Sequence, residues 1–166
     1  RCFARFTMSG VWNAPVDAAM PTYAPGSDVP MKLADGTFTL AGESIKVSRF
    51  SLDMGCNVVA RADPDAAGGI TYFAITDIDP VITIDPEADL IGPPGYDYHG
   101  AWLAGTEVAL SLALGAVAEQ TITIAAPKLQ YRELTGGDRD GIAIYNLTGQ
   151  CNNDSEGDDA VTITVS

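Results

Sequence analysis

The clearest hydrophobic pattern in the chain is an alternation of apolar and small residues from Val108 to Leu114. Successive side chains of a β-strand point to opposite faces, so this alternation predicts a strand with one buried face. A turn over Gly115–Glu119 and a second alternating run, Thr121–Ile124, predict that the two strands pair as a hairpin. This part of the chain therefore favours a sheet that is covered on one side.

Short strand-like runs recur along the rest of the sequence. The run Ile45–Met54 changes its apolar face near Ser48–Arg49, which predicts a β-bulge or bend there. The run Ile70–Ile78 is apolar on both faces and predicts a central strand. The remaining predicted strands are Cys2–Trp12, Thr37–Leu40, Cys56–Ala60 as an extension of the run before it, Val81–Ile84, Leu129–Leu134, Ile142–Leu147 and Val161–Val165.

One helix and several turns complete this picture. Tyr96–Ala104 is the helical segment, since Tyr98 and Trp102 would share a face and Gly105 would end it. Turns are predicted over Asp63–Gly69 and Gly136–Gly141. About ten short strands with one helix predict a mainly β fold, a β-sandwich or barrel with one short flanking α-helix.

A long Pro-rich loop lies between the first two predicted strands, from Asn13 to Gly36. A loop of this length is unusual inside a compact domain and often has a function. We expect it to reach a neighbouring subunit, and a plain connector is the alternative. The residues that we select as inter-subunit contacts are Pro15, Pro21, Tyr23, Pro25 and Pro30.

The excess of acidic residues limits the kinds of partner that the protein can bind. Twenty-two acidic residues oppose nine Lys and Arg, which gives a formal net charge of −13. This excess argues against a basic patch for phosphate groups. It fits either a highly soluble protein or a surface that lets DNA pass without holding it. Three cysteines without a CxxC pair predict free thiols and no zinc site or disulfide scaffold.

The sequence lacks the combinations of side chains that catalysis needs. His99 is the only histidine, so neither a catalytic triad nor a histidine-rich metal site can be assembled. Asn152–Gly157 resembles the opening of a calcium loop, but Ile163 stands where the loop would need Glu. We therefore predict a solvated hairpin loop there, no enzyme activity, no catalytic or metal-binding residues and no cofactor.

The order and spacing of four segments carry a family resemblance. The chain resembles the second half of the larger, two-part tail tube proteins of long-tailed phages. The segments are Arg5–Pro15 (RFTMSGVWNAP) with Ala18–Thr22 (AAMPT), Phe50–Arg61 (FSLDMGCNVVAR), Asp97–Thr106 (DYHGAWLAGT), and a fourth from Ala126–Pro127 through Gly137–Ile142 (GDRDGI) to Gly157–Ile163 (GDDAVTI).

The resemblance implies a tail-tube-type β-sandwich whose subunits join sheets edge to edge into rings. The rings stack into a tube through long loops and terminal arms. The implied partners are copies of this chain, a tape-measure protein, and tail terminator or tip proteins. The implied location is the tail of the virion, assembled in the cytoplasm of the bacterial host. No segment of about 20 apolar residues predicts a membrane span.

The chain is shorter than members of that family. Members of this kind carry another half before this one, and the chain begins with Arg1 rather than Met. We expect residues 1–166 to be one tail-tube-like domain, the C-terminal part of a longer protein. A single-domain subunit would form rings of six copies and a tandem subunit rings of three, and the sequence leaves both open.

The resemblance and the charge together suggest a tube with an acidic lumen. DNA carries about one charge per 1.7 Å, so an acidic wall repels it. The acids selected for the lumen, or for turns, are Asp138, Asp140, Asp158 and Asp159. Two alternatives remain: an immunoglobulin-like or carbohydrate-binding β-sandwich module, and a glycan-cleaving enzyme.

Overall fold

The computed structural model describes residues 5, 7–10, 16–20, 22, 36–66, 68–88, 95–115, 121–154 and 157–165. The five loop residues selected above lie outside these ranges. The chain divides into two compact units, one formed by residues 1–30 with 56–78 and the other by 31–55 with 79–166. Each is described by itself.

The structure is mainly β, which confirms the predicted fold class. The elements are β1 (Thr37–Leu40), β2 (Glu43–Ser44), β3 (Phe50–Asp53), β4 (Asn57–Ala62), β5 (Ile70–Asp77), β6 (Val81–Ile84), α1 (Tyr98–Ala104), β7 (Glu107–Leu114), β8 (Ile122–Arg139), β9 (Ile142–Cys151) and β10 (Thr162–Val165).

The larger unit is one antiparallel sheet in the order β2-β1-β7-β8-β9-β6-β3, with β10 paired to β8. Its core is a single cluster to which most of these strands contribute. The predicted β7–β8 hairpin is confirmed, with Leu112 opposite Ile124. Fully buried side chains come from five strands: Leu40, Ile82, Ile84, Leu110, Leu129 and Leu147.

Strand β8 is longer than the sequence suggested. Pro127 lies where two residues of β8 oppose one of β7, a β-bulge that tolerates the missing amide hydrogen of proline. The predicted turn Gly136–Gly141 is wrong in extent, because Gly136 and Gly137 pair with β9. Only Asp140 and Gly141 turn the chain, with φ of 54° and 83°. Positive φ at both positions is the geometry of a two-residue hairpin turn.

The predicted bend near Ser48–Arg49 is confirmed and has a clear cause. The chain bends at Ser48, between β2 and β3. One carboxylate oxygen of Asp85 accepts hydrogen bonds from the backbone amides of Ser48 (2.9 Å) and Arg49 (2.6 Å). The strands at the two ends of the sheet, β2 and β3, are thus consecutive in sequence. The segment between them is bound to Asp85, which directly follows β6. This bend lets one segment pair with β1 at its start and with β6 at its end.

The predicted helix is confirmed as α1. Asp97 caps its start by accepting from the amide of Gly100 at 2.8 Å, and Gly105 ends it in the left-handed conformation with φ of 63°. The indole nitrogen of Trp102 donates to the carbonyl oxygen of Arg132 at 3.3 Å. Arg132 lies at a bulge in β8 and is not paired with a residue of β9. The helix therefore binds a carbonyl oxygen that the sheet leaves available.

The smaller unit contains the hairpin β4–β5, and it corrects three expectations. Ile70–Asp77 forms a strand, but β4 is its only partner among the described residues, so it lies in a two-stranded sheet rather than in the middle of a large one. The extension from Cys56 is a separate strand, because the chain turns at Gly55 with φ of 58°. Residues 7–10, inside the predicted first strand, are exposed and irregular. The apolar character of β5 on both faces therefore did not mean burial inside a large sheet.

Candidate functional site

Four strands of the larger unit form a wall with one polar, uncharged face. The wall consists of β1, β7, the start of β8, and β10. Residues directly opposite each other lie on the same face. One row across the wall is Thr37, Ala113, Thr123 and Thr164, and the next is Thr39, Ser111, Ala125 and Thr162. We call these eight residues the threonine face.

The opposite face of the same wall is apolar. Its central row joins Phe38, Leu112, Ile124 and Ile163. Phe38 and Leu112 are buried in the core, whereas Ile163 is 55% exposed and Val165 is 73% exposed. The core side of the sheet therefore continues past the core into solvent. We call the outer part of this face, Leu114, Ile122, Ile124, Ile163 and Val165, the apolar stripe.

A charged cluster lies next to the threonine face, at the other end of β7. The ammonium of Lys128 contacts Asp154 at 2.9 Å and Glu107 at 3.8 Å. The hydrogen bond to Asp154 raises the pKa of Lys128, and the neighbouring carboxylates add to this effect. The amide group of Asn152 donates to Glu107 at 2.8 Å. Lys128 is thus held by carboxylates rather than presented as a free cation.

Asp138 is in the last part of β8, and the other three selected acids are in turns or loops. Asp138 accepts from the amide of Gly141 at 3.3 Å, and Asp140 is in the turn at the tip of β8–β9. Asp159 accepts from the amide of Asp154 at 2.8 Å, and Asp158 has a positive φ of 61°. None of the four belongs to the rows of the threonine face. Whether they line a lumen stays a prediction.

Two further polar clusters join distant segments of the larger unit. Arg139 contacts Asp85 at 2.8 Å and Glu87 at 3.0 Å, beside the bend at Ser48. Burial tends to raise the pKa of Asp85, but the hydrogen bonds from Ser48, Arg49 and Arg139 outweigh it and lower the pKa. The second cluster joins Arg132, Asp79 and Gln150, with Gln150 donating to Asp79 at 2.6 Å. Each cluster pairs opposite charges and connects segments that lie far apart in the sequence.

Nucleophiles and acids do not converge among the described residues. Cys151 is buried, and burial raises the pKa of its thiol to about 11, so it stays protonated at neutral pH. His99 packs edge-on against Tyr145. A depression of about 250 Å³ between Lys46, Glu87 and Tyr98 is small for a ligand site. The described residues thus form no cleft with converging reactive groups.

The described part of the chain also contains no group of three or more potential metal ligands. In the segment that resembles a calcium loop, Asn152 and Asp154 are engaged with Glu107 and Lys128. A search of the described helices found none with the length and apolar character of a membrane span.

Sequence reasoning missed the threonine face and the apolar stripe as surfaces. The alternation in each strand was visible, including Thr162 and Thr164 around Ile163. The rows join residues that are up to 127 positions apart, Thr37 and Thr164, and no local pattern specifies such a register. Threonine at alternate positions in three predicted strands was the signal that could have been used.

Comparisons with known proteins identify the fold. No protein-family model and no curated protein sequence matches the chain. Solved structures do match. The tube-terminating cap of the anti-feeding prophage aligns with a TM-score of 0.58 and 15% identity, over 86% of this chain and 96% of that one.

A second solved structure gives the same result. The sheath/tube terminator of the PVC extracellular contractile injection system, in its extended state, aligns with a TM-score of 0.60 and 14% identity. The alignment covers 84% of this chain and all of that one. The chain therefore shares the fold of proteins that terminate the tubes of phage-tail-like injection systems.

Proposed function

We propose that this chain is a structural subunit of a phage-like tail, which assembles with copies of itself into rings around a lumen. The observation that carries the proposal is the shared fold with two tube-terminating proteins over more than four fifths of the chain. The tail-tube resemblance of the sequence points to the same kind of assembly. The role is structural, and it requires no cofactor.

The threonine face is the surface that fits the wall of such a lumen. Its hydroxyls hydrate well, and neither they nor its methyl groups carry a charge that could hold a phosphate. Lys128, the cation beside it, is neutralised by Asp154 and Glu107. The net charge of −13 adds a general repulsion for DNA. DNA would then pass without binding, and the turn acids would add negative charge where they face the lumen.

Two positions in a tail fit this subunit. The sequence resemblance favours a repeated subunit of the tube, whereas the solved neighbours favour a ring at the end of a tube. A repeated subunit stacks ring on ring without limit, and a terminating ring stops after one layer. Its partners in the first case are copies of itself and a tape-measure protein, and in the second also the last ring of a tube.

Negative-stain microscopy over a concentration series tests the proposal and separates the two positions. Long tubes would support the repeated subunit, and single rings would support the terminator. Particles that remain single copies up to the highest concentration, by microscopy and by light scattering, would contradict the proposal. Glycan-binding and glycan-cleavage assays test the two alternatives from the sequence, and a positive result in either would count against a tail role.

The lumen assignment has its own test. Thr123→Lys adds a cation to the threonine face, and Leu103→Lys adds the same charge on α1, where Leu103 is 79% exposed. Assembled Thr123→Lys should retain DNA at low salt and release it as salt rises, because phosphate contacts release counterions. Assembled Leu103→Lys should release DNA as the unmodified protein does. Equal DNA retention by both variants would place the threonine face outside the lumen.

A further inference from the structure

Three opposite pairs on one face of the hairpin β4–β5 are apolar. Opposite pairs on this face are Val58 with Ile75 and Ala60 with Phe73, followed by Ala62 with Ile70. Val58 is 47% exposed and Ile75 is 59% exposed. The other face is mixed, with Val59 opposite Ala74 and Arg61 opposite Tyr72. Only the face with Val58, Ala60 and Ala62 has apolar residues in each of its opposite pairs.

A two-stranded sheet of this kind needs a second layer. Isolated hairpins are marginally stable in water, and sheets reach stability by burying an apolar face against another element. In the single chain this face stays substantially exposed. A contiguous exposed apolar surface of this type marks an interaction site.

The apolar stripe is covered at its inner end, where Leu114 and Ile124 pack against the core, and exposed at β10. Across the wall, burial falls from Leu110, 1% exposed, and Leu112, 8% exposed, to Ile163 and Val165, which are more than half exposed. The same continuous face is therefore covered at β1 and β7 and uncovered at β10. A sheet laid over its uncovered end at about 10 Å would complete a sandwich.

Both surfaces belong to the same chain, so every copy brings one of each. We infer that the apolar face of β4–β5 in one copy packs on the apolar stripe of a second copy, as the missing layer of its sandwich. Two different surfaces of the same chain then meet head to tail, and such a contact closes into a ring or continues as a stack. The net charge of −13 opposes nucleic acid or an anionic membrane as the occupant.

The small area of the two surfaces limits how strongly this contact can bind by itself. A stable complex buries about 1,600 Å² in total, some 20–30 residues on each side. The hairpin face has six residues and the stripe five, so this contact alone is too small for a stable dimer. We expect it to act together with the ring contacts of the proposed function, on which the inference rests, and to raise their strength through repeated engagement.

Matched substitutions on adjacent residues test the contact. Val58→Asp places a charge on the apolar face of β4, and Val59→Asp places the same charge on the mixed face of the same strand, where Val59 is 39% exposed. Ile163→Asp places the same charge on the stripe. Sedimentation velocity over a concentration series should show that Val58→Asp and Ile163→Asp need at least about tenfold more protein for half-association. Val59→Asp should associate as the unmodified protein does.

Mixing the two defective variants is the decisive experiment. A Val58→Asp copy keeps an intact stripe, and an Ile163→Asp copy keeps an intact hairpin, so one good contact forms between them. The mixture should therefore reach half-association at a lower total protein concentration than either variant alone. Val58→Thr and Ile163→Thr, which keep a β-branched side chain, should show the same directions more weakly and exclude unfolding as the cause, with circular dichroism as the check.

The outcomes separate this inference from the proposed function. If the unmodified protein assembles and both Asp variants assemble equally well, or if the mixture needs as much protein for half-association as either variant alone, the contact is wrong and the tail role stands. If the unmodified protein never associates at any concentration, both the tail role and the contact fail.

Discussion

The hairpins β7–β8 and β4–β5 are built alike and end in opposite environments. Both are antiparallel pairs rich in aliphatic residues. In the first, Val108 and Leu110 are 8% and 1% exposed, and in the second, Val58 and Ile75 are 47% and 59% exposed. The difference is one of neighbours, because β7–β8 pairs with β1, β9 and β10. A strand-forming pattern thus predicts a strand, but it does not predict whether that strand joins a core.

Truncating a core residue should give the largest effect. Leu129 is fully buried, so Leu129→Ala should lower the free energy of unfolding by about 2–5 kcal/mol through lost burial and the cavity left behind. Val58→Ala, in the exposed hairpin, should change it by no more than about 0.5 kcal/mol. Urea denaturation of both variants measures the difference. Equal losses would show that the hairpin face is buried in the single chain.

Removing the Asp85 carboxylate should give the next largest effect. Asp85→Ala leaves the amides of Ser48 and Arg49 without their acceptor and Arg139 without its closest carboxylate, so we expect a loss of about 2–3 kcal/mol. The matched change in the hairpin turn, Asp65→Ala, removes an exposed carboxylate and should cost less than about 0.5 kcal/mol. Chemical denaturation at pH 7 compares them, and a neutral Asp85→Ala would contradict the role given to this carboxylate.

The same carboxylate makes stability depend on pH. The folded pKa of Asp85 lies below its ordinary value of 3.8, so its contribution is present above that value and is lost as the pH falls through the folded pKa. The free-energy difference between the unmodified protein and Asp85→Asn should therefore be constant from pH 7 to about pH 5 and shrink below about pH 4. Denaturation curves at pH 7, 5, 4 and 3 provide the measurement. A difference that grows with acidity would reverse the assigned direction.

Glycine substitutions should give the smallest effects and show how far the two regions unfold together. Gly105 and Gly69 both have positive φ, 63° and 74°, which disfavours a side chain. Gly105→Ala should lower the global free energy of unfolding by about 1 kcal/mol. Gly69→Ala should speed hydrogen exchange of the β4–β5 amides and leave β8–β9 amides unchanged, because small units open locally. Faster exchange across all strands together would indicate one cooperative unit.

Much of the fold followed from local sequence. The strand Thr37–Leu40, the hairpin from Val108, the helix ended by Gly105 and the bend at Ser48–Arg49 were all predicted. Each depends on side-chain period, a cap, or a change of apolar face, and these act within a few residues. The turn at Gly136–Gly141 was predicted too long, because two glycines next to Asp suggested a loop while pairing with β9 kept them in the strand.

The candidate surfaces depended on tertiary structure. The alternation of threonine with apolar residues was present in the sequence of each strand, as was the acidic balance of the whole chain. Only the folded sheet placed Thr37, Thr123 and Thr164 in one row and left Ile163 beyond the core. Local patterns specify which side of a strand is polar because the backbone period is fixed. The choice of neighbouring strand, and hence which apolar side remains uncovered, depends on contacts between residues far apart in the chain.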